Sequence, residues 1–586
     1  MAKFDSLVDL FEKSCEKFAG NELFGEKHDG TWQWITYGEF KSLVDRFRGG
    51  LAGLGVGEGD RVGIVANNRV EWAVAAYATY GLGAQFVPMY EAQKQSEWGF
   101  ILGDCGAKVV IGATNDILDK LRTLVDEIDT LETAIGLAAP ADDPTSYQAL
   151  LAKGEAEPVD AVHPSWDDLA GFIYTSGTTG APKGVKLSHG NICSNVNAIH
   201  EVFTFTTDDR SLSFLPWAHS FGQTCELHGL LSMGSSLAIN DEIPNLVGNL
   251  AEVKPTILYA VPRIFNRIYD GVNKQMAERG GMVESLFHSA VGIAARKGAG
   301  ESVGMFEGMK LSIADKLIFS KVRARFGGRL NYAISGSAAL NRDVAKFIDA
   351  LGIDVYEGYG LTETSPIATA NYPGNRKIGS VGKPINGVRI VIDKEVTGDA
   401  ENGEIVIYGP NVMQGYHNRE EENAKVLMDD GGFRSGDMGR VDGDGYVYIT
   451  GRIKEQYKLE NGKYVVPSPL EEEVKLSPFV GNAMLYGMNK PYNVILIVPD
   501  MVALAPWCKE NGVAESDIES SDKVKELLKA EIEANSKSFK RYELPKKILV
   551  SKEEFSTDNG MLTPTLKLKR RNVLKVHGDA IEALFS

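Results

Sequence analysis

The sequence is short of cysteine, has no long apolar run and carries no excess of positive charge. Its five cysteines (Cys15, Cys105, Cys193, Cys225 and Cys508) are scattered, odd in number and never in CxxC spacing. That favours a reducing compartment. No apolar stretch approaches the roughly 20 residues needed to span a bilayer. Residues 1–10 are acidic and amphipathic, unlike the basic stub and apolar run of a secretory signal. Lys and Arg number 62 against 79 Asp and Glu, a formal net charge of -17. Such a balance argues against general nucleic-acid binding, which needs basic surface to meet phosphate. A local positive pocket for an anionic substrate remains compatible with it. The expectation is a cytoplasmic protein with, at most, peripheral contact with a membrane; no amphipathic segment is strong enough to assert that contact.

What is present suggests several packing units. The chain has 586 residues, 43% hydrophobic and 24% charged, too long for one ordinary core. Residues 1–160 alternate helical patterns with short apolar strands such as Arg61–Ala66 and Gln85–Met89, which predicts a parallel α/β sheet. Residues 270–320 read as helical, with a glycine-rich break at 298–304. From 379 to about 450 the texture changes to short strands and turns, a β-rich subdomain. A boundary is expected at Arg452 to Lys454, dividing residues 1–452 from 453–586.

Two motifs are decoys. The run Gly53-Leu-Gly-Val-Gly-Glu-Gly59 resembles a dinucleotide fingerprint, but it follows a helix and precedes a strand, the reverse of the required order. Gly300-Glu-Ser-Val-Gly304 fits a nucleophile elbow, yet a loop precedes it where a strand is needed.

The strongest local signal is Tyr174-Thr-Ser-Gly-Thr-Thr-Gly-Ala-Pro-Lys-Gly-Val185. An apolar strand runs into three glycines, four hydroxyls and one lysine. Glycines let backbone N–H groups converge on an anion. Thr175, Ser176, Thr178 and Thr179 add donors around Gly177 and Gly180, and Lys183 supplies charge for nucleotide phosphates. The order is not that of a Walker A loop, where Lys is followed by Ser or Thr and opens a helix.

This segment resembles the signature of the adenylate-forming superfamily, and further motifs follow in the family's order over nearly the whole chain. Tyr356-Glu-Gly-Tyr-Gly-Leu-Thr-Glu-Thr364 resembles the second nucleotide motif. The resemblance implies nucleotide contacts from Glu357, Gly358, Tyr359 and Gly360, with Tyr359 stacking on adenine. Thr362 is implied at phosphate and Glu363 at Mg²⁺. Gly336, Ser337 and Ala338 match the strand end lining the adenine and acyl pockets. His219, in Leu215-Pro-Trp-Ala-His-Ser-Phe221, matches the family's histidine beside the acyl pocket. Its spacing to Cys225 and His228 satisfies no metal-ligand pattern. Phe433-Arg-Ser-Gly-Asp-Met-Gly439 resembles the ribose motif, with Asp437 and Arg452 at the ribose. Gly432 stands where the family often has Trp. Lys454 matches the hinge pivot, and Lys567, in Thr563-Pro-Thr-Leu-Lys567, matches the catalytic lysine.

The helical insertion and the C-terminal motif resemble the long-chain fatty acyl-CoA synthetase branch. That implies an α/β fold with a large N-terminal domain of mixed sheets and flanking helices, plus a small mobile α+β C-terminal domain. It implies ATP, Mg²⁺ and coenzyme A, a medium-to-long-chain fatty acid substrate, and a monomer or homodimer. Two alternatives stay open from sequence: an acyl-AMP ligase that loads a carrier protein, and a nucleotide-binding protein without catalysis.

Overall fold

A computed structural model describes residues 3–175, 182–298, 301–396, 400–563 and 566–586. Two sheets form the centre of the N-terminal body. The first has six strands in the order Thr133–Gly136, Val109–Gly112, Arg61–Val65, Gln85–Met89, Leu169–Thr175 and Lys183–Ser188. All its pairings are parallel except the last, which is antiparallel. The second is a nine-stranded mixed sheet whose order includes Asp354–Gly360, Tyr332–Ser335, Ile257–Ala260 and Arg210–Ser213 as neighbours.

The helix Val70–Tyr80 shows why the layers stack as they do. Its sequence VEWAVAAYATY is apolar on every side, so it cannot lie on a surface. Ten of its eleven residues are buried. Trp72 packs edge-on against Phe86 of the first sheet and against Trp217, which follows a strand of the second. Truncating Trp72 to Ala should cost about 3–5 kcal/mol.

The 379–450 region is a four-stranded antiparallel sheet, Arg389–Asp393, Gly403–Tyr408, Phe433–Val441 and Val447–Arg452. The 53–59 glycines form the turn between helix Tyr37–Ala52 and strand Arg61–Val65. Residues 301–304 carry no strand and lead into helix Met305–Ala314, after helix Gly281–Gly298. Both decoys therefore lie in connections.

From residue 457 onward the chain builds its own cores. The two hydrophobic clusters there draw all their fully buried members from residues 457–581. They flank a three-stranded sheet, Val480–Tyr486, Asn493–Pro499 and Pro545–Val550, covered by helices that include Pro467–Val474 and Arg570–Ala583. Asn341, which caps helix Arg342–Ala350 in the N-terminal body, also donates from Nδ2 to Glu473 at 2.8 Å. No helix among the described residues is long and apolar enough to cross a membrane.

Candidate active site

Strands Leu169–Thr175 and Lys183–Ser188 pair antiparallel, with Thr175 opposite Lys183. The predicted phosphate motif therefore begins at the end of one strand of this antiparallel pair and finishes on the other. Ser176, Gly177, Thr178, Thr179 and Gly180 lie outside the described residues. Lys183 itself forms an ion pair with Glu422, on helix Glu420–Val426, and its ammonium lies 5.0 Å from the Tyr416 ring centroid.

Tyr416 connects this strand pair to the second motif. Its hydroxyl donates to Glu363 Oε1 at 2.7 Å. Main-chain bonds from Lys186 to Gly415 and from His417 to Gly184 fix the 415–417 segment along the pair. No local sequence signal pointed to Tyr416 or Glu422. Both act through pairing with residues more than 50 positions away, which neither periodicity nor a motif can reveal.

Strand Asp354–Gly360 carries Gly358, Tyr359 and Gly360, and a short 3₁₀ turn carries Thr362 and Glu363. Gly360 is forced by space: a Cβ there would sit 1.7 Å from the Pro366 carbonyl oxygen. Thr362 is buried, with its hydroxyl 3.4 Å from that of Ser220. Gly336 follows strand Tyr332–Ser335, and a Cβ on it would meet the Phe221 ring at 3.2 Å. Ser337 and Ala338 are exposed beyond it. Glu357 stands apart from the rest. Its buried carboxyl accepts from the backbone N–H groups of Leu340 and Gly379, and burial pushes its pKa up to about 7. That side chain pins strand to loop.

Asp437 and Arg452 are direct cross-strand partners in the four-stranded sheet. Arg452 Nε lies 3.0 Å from Asp437 Oδ1, while Tyr359 donates its hydroxyl to Oδ2 at 2.7 Å. Burial nevertheless raises the Asp437 pKa above the usual carboxylate range, with Arg452 and Tyr359 pulling the other way. Each carboxylate oxygen keeps one acceptor direction beyond these bonds.

Lys567 reaches this cluster from the C-terminal body. Hydrogen bonds join Thr563 to Lys567: Thr563 N donates to the Lys567 carbonyl at 2.8 Å and Lys567 N to the Thr563 hydroxyl at 3.0 Å, while Leu566 adopts φ +60°. This segment is anchored behind by Arg570, which pairs with buried Glu471. Lys567 is exposed. Crowding by protein lowers its pKa first by desolvation and then by Arg452, while Asp437, Glu363 and Glu455 oppose the fall. His219, partly buried, feels the same ammonium. Its pKa drops to about 4, by desolvation first and Lys567 second, so it is neutral at pH 7. Lys454 is exposed in the turn Ile453–Glu455 and acts on Glu422 electrostatically.

Residues from both bodies thus meet at one cleft: Lys183, His219, Thr362, Glu363, Asp437, Arg452 and Lys567. Over residues 11–417 the sequence matches the family described as AMP-binding enzyme, and over 454–586 the AMP-binding enzyme C-terminal domain. The chain belongs to the AMP-binding enzyme family. Among relatives of this AMP-binding enzyme, the long-chain-fatty-acid–CoA ligase FadD15 of Mycobacterium bovis is 31% identical, aligned over 95% of this chain and 93% of the relative. Long chain acyl-CoA synthetase 7, peroxisomal, of Arabidopsis thaliana is 29% identical over 99% of this chain and 86% of the relative. The fold is that of a solved anthranilate CoA ligase, AuaEII, in complex with anthranoyl-AMP (TM-score 0.76, 20% identity, 99% and 98% covered). It also matches a carboxylate reductase adenylation domain from Mycobacterium chelonae (TM-score 0.81, 22% identity, 99% and 91% covered). The AMP-binding enzyme therefore has the expected α/β architecture, with a large mixed-sheet body and a smaller C-terminal one.

The donor set fits Mg²⁺. Among the described residues no three His, Cys, Asp or Glu side chains are grouped to hold a metal. Glu363 offers a single hard carboxylate beside the strand pair. Mg²⁺ is commonly held by one or two carboxylates together with substrate phosphates and water.

Proposed function

We propose that this enzyme ligates a medium-to-long-chain fatty acid to coenzyme A through an acyl-adenylate, releasing AMP and pyrophosphate. The observation that carries this reading is the position of Lys567: a cation on the C-terminal body set among Glu363, Asp437, Arg452 and His219 of the N-terminal one. The printed names of the relatives support the fatty acid and the thiol acceptor.

In the first step a carboxylate oxygen attacks the α-phosphorus of ATP, and the bond to the bridging oxygen of pyrophosphate breaks. Two anions must approach, so fixed positive charge placed before reaction lowers the barrier most. Lys567 bridges the carboxylate and the α-phosphate, giving position as well as charge. Lys183 and the 174–185 loop hold the β- and γ-phosphates. Asp437 accepts from the ribose hydroxyls with Arg452 beside it, Thr362 contacts phosphate, and Gly336 to Ala338 with Gly358 to Gly360 line the adenine and acyl pockets. Glu363 would hold Mg²⁺, which would neutralise charge on the pyrophosphate. Neutral His219 faces the acyl end without adding charge there.

In the second step the CoA thiol gives up its proton to water, sulfur attacks the acyl carbonyl, and the acyl–phosphate oxygen bond breaks as AMP leaves. Lys567 occupies the approach, so the C-terminal body turns about Lys454 to clear it, with the two bodies dividing at 452/453. Five unpaired, buried cysteines suit a reducing compartment such as the cytoplasm.

The reading is tested by ATP–pyrophosphate exchange across fatty, aryl and short acids, followed by product analysis with CoA and with a carrier protein. Exchange greatest with fatty acids and a CoA thioester product are expected. Exchange with no acid, or acyl transfer to carrier protein alone, would overturn it.

A further inference from the structure

The helical region packed on the nine-stranded sheet carries an apolar face that no described residue covers. Met305, Phe306, Met309, Ile313 and Leu317 are 83%, 79%, 55%, 45% and 52% exposed. They recur largely at four-residue spacing along helix Met305–Ala314 and the π-helical turn Asp315–Phe319, so they share one side. The opposite side is firmly packed: Ala314, Ile318 and Phe319 are buried in a cluster with Phe287 and Phe347. The outward side chains are therefore not an unfinished core. Soluble monomers seldom leave such a contiguous patch bare without a use for it.

The charge around the patch identifies the occupant. Residues 262–329 hold twelve Lys and Arg against six Asp and Glu, a net of +6 in a chain of net -17. Glu307 and Asp315 are already paired, with Arg296 and Arg323. Lys297, Lys310, Lys316 and Lys321 are exposed and form no ion pair among the described residues.

We propose that this face docks on a phospholipid bilayer containing anionic headgroups. Met and Phe side chains enter the headgroup–acyl boundary, and the lysines meet the lipid phosphates, the combination that holds interfacial helices. A second copy of the chain fits poorly, because a two-fold contact would set these lysines against one another. The inference goes beyond the ligase reading and does not depend on which acid is used.

Co-sedimentation of the full chain with vesicles of phosphatidylcholine, alone or mixed with phosphatidylglycerol, tests it. The wild type should pellet with the mixed vesicles, and less so as salt rises. Two variants, Phe306→Ser with Met309→Ser, and Lys310→Glu with Lys316→Glu and Lys321→Glu, should each lose roughly tenfold or more of that partitioning. Unchanged thermal unfolding certifies that each variant folds, independently of any activity. Binding equal to wild type in both variants would overturn the proposal. So would no binding to mixed vesicles at low salt, or a wild-type dimer that Phe306→Ser dissociates.

Discussion

Lys183, at the start of strand Lys183–Ser188, is held by Glu422 across 239 residues of sequence. The same carboxylate is drawn below its usual pKa by that lysine and feels Lys454 as well. In the proposed reaction, nucleotide phosphates compete with Glu422 for this cation.

Glu422→Gln should therefore lower the KM for ATP two- to fivefold with little change in kcat. The pair is partly exposed, which limits its worth to about 0.5–1 kcal/mol. Steady-state kinetics at varied ATP would show this. A raised KM would mean that Glu422 positions Lys183 rather than occupying it.

Lys567→Met should reduce ATP–pyrophosphate exchange by about 10²- to 10³-fold, the scale of losing one preorganised charge donor. Thioester formation from supplied acyl-AMP should fall far less. Rapid-quench measurement of each half-reaction separates the two, and equal losses would place Lys567 in both steps.

Lys454→Pro should keep exchange within a few-fold of wild type and lose thioester formation. Proline restricts φ at 454 and biases Ile453 away from the helical region it occupies in the 3₁₀ turn. Failure of both half-reactions alike would show that 454 is not where the bodies turn.

Glu226 gives a prediction about stability. It is fully buried, accepts from the Ser213 hydroxyl at 2.7 Å, and burial pushes its pKa up to about 7. Between the unfolded value near 4.5 and about 7 the folded state holds more protons, so its contribution to stability falls as pH rises through that window. Glu226→Gln should match wild type at pH 5 and exceed it at pH 8 by up to about 3 kcal/mol. The buried histidines His189 and His228, with pKa values near 4 and 3, lose stability in the opposite direction, as pH falls below about 6.5. They are common to both proteins and cancel in the comparison. Parallel unfolding midpoints from pH 5 to 8 would refute an ionising Glu226.

Where a motif contains its own geometry, the sequence reading carried far. The strand before Ser176, the glycines around Tyr359 and the Asp437 strand are local arrangements whose spacing is enough to read. Contacts made by chain segments distant from one another were not legible. Tyr416 gains its place only because the 415–417 segment runs beside the strand pair. Glu357 reads as a nucleotide contact within its motif, yet its carboxyl turns to Leu340 and Gly379. The outward apolar side of helix Met305–Ala314 was not legible, because apolar periodicity reads the same whether a face meets the core or solvent, and here only Ala314 is buried.

Asn341 serves two masters through the two ends of one amide. Its oxygen caps helix Arg342–Ala350, at 2.8 Å from Asp343 N, while its nitrogen reaches Glu473. Departure of the C-terminal body would forfeit a single hydrogen bond there, about 1 kcal/mol, and leave the cap whole. That bond can break and re-form without unfolding the helix beside it, so Glu473→Gln would weaken this contact between the bodies while the cap stays in place.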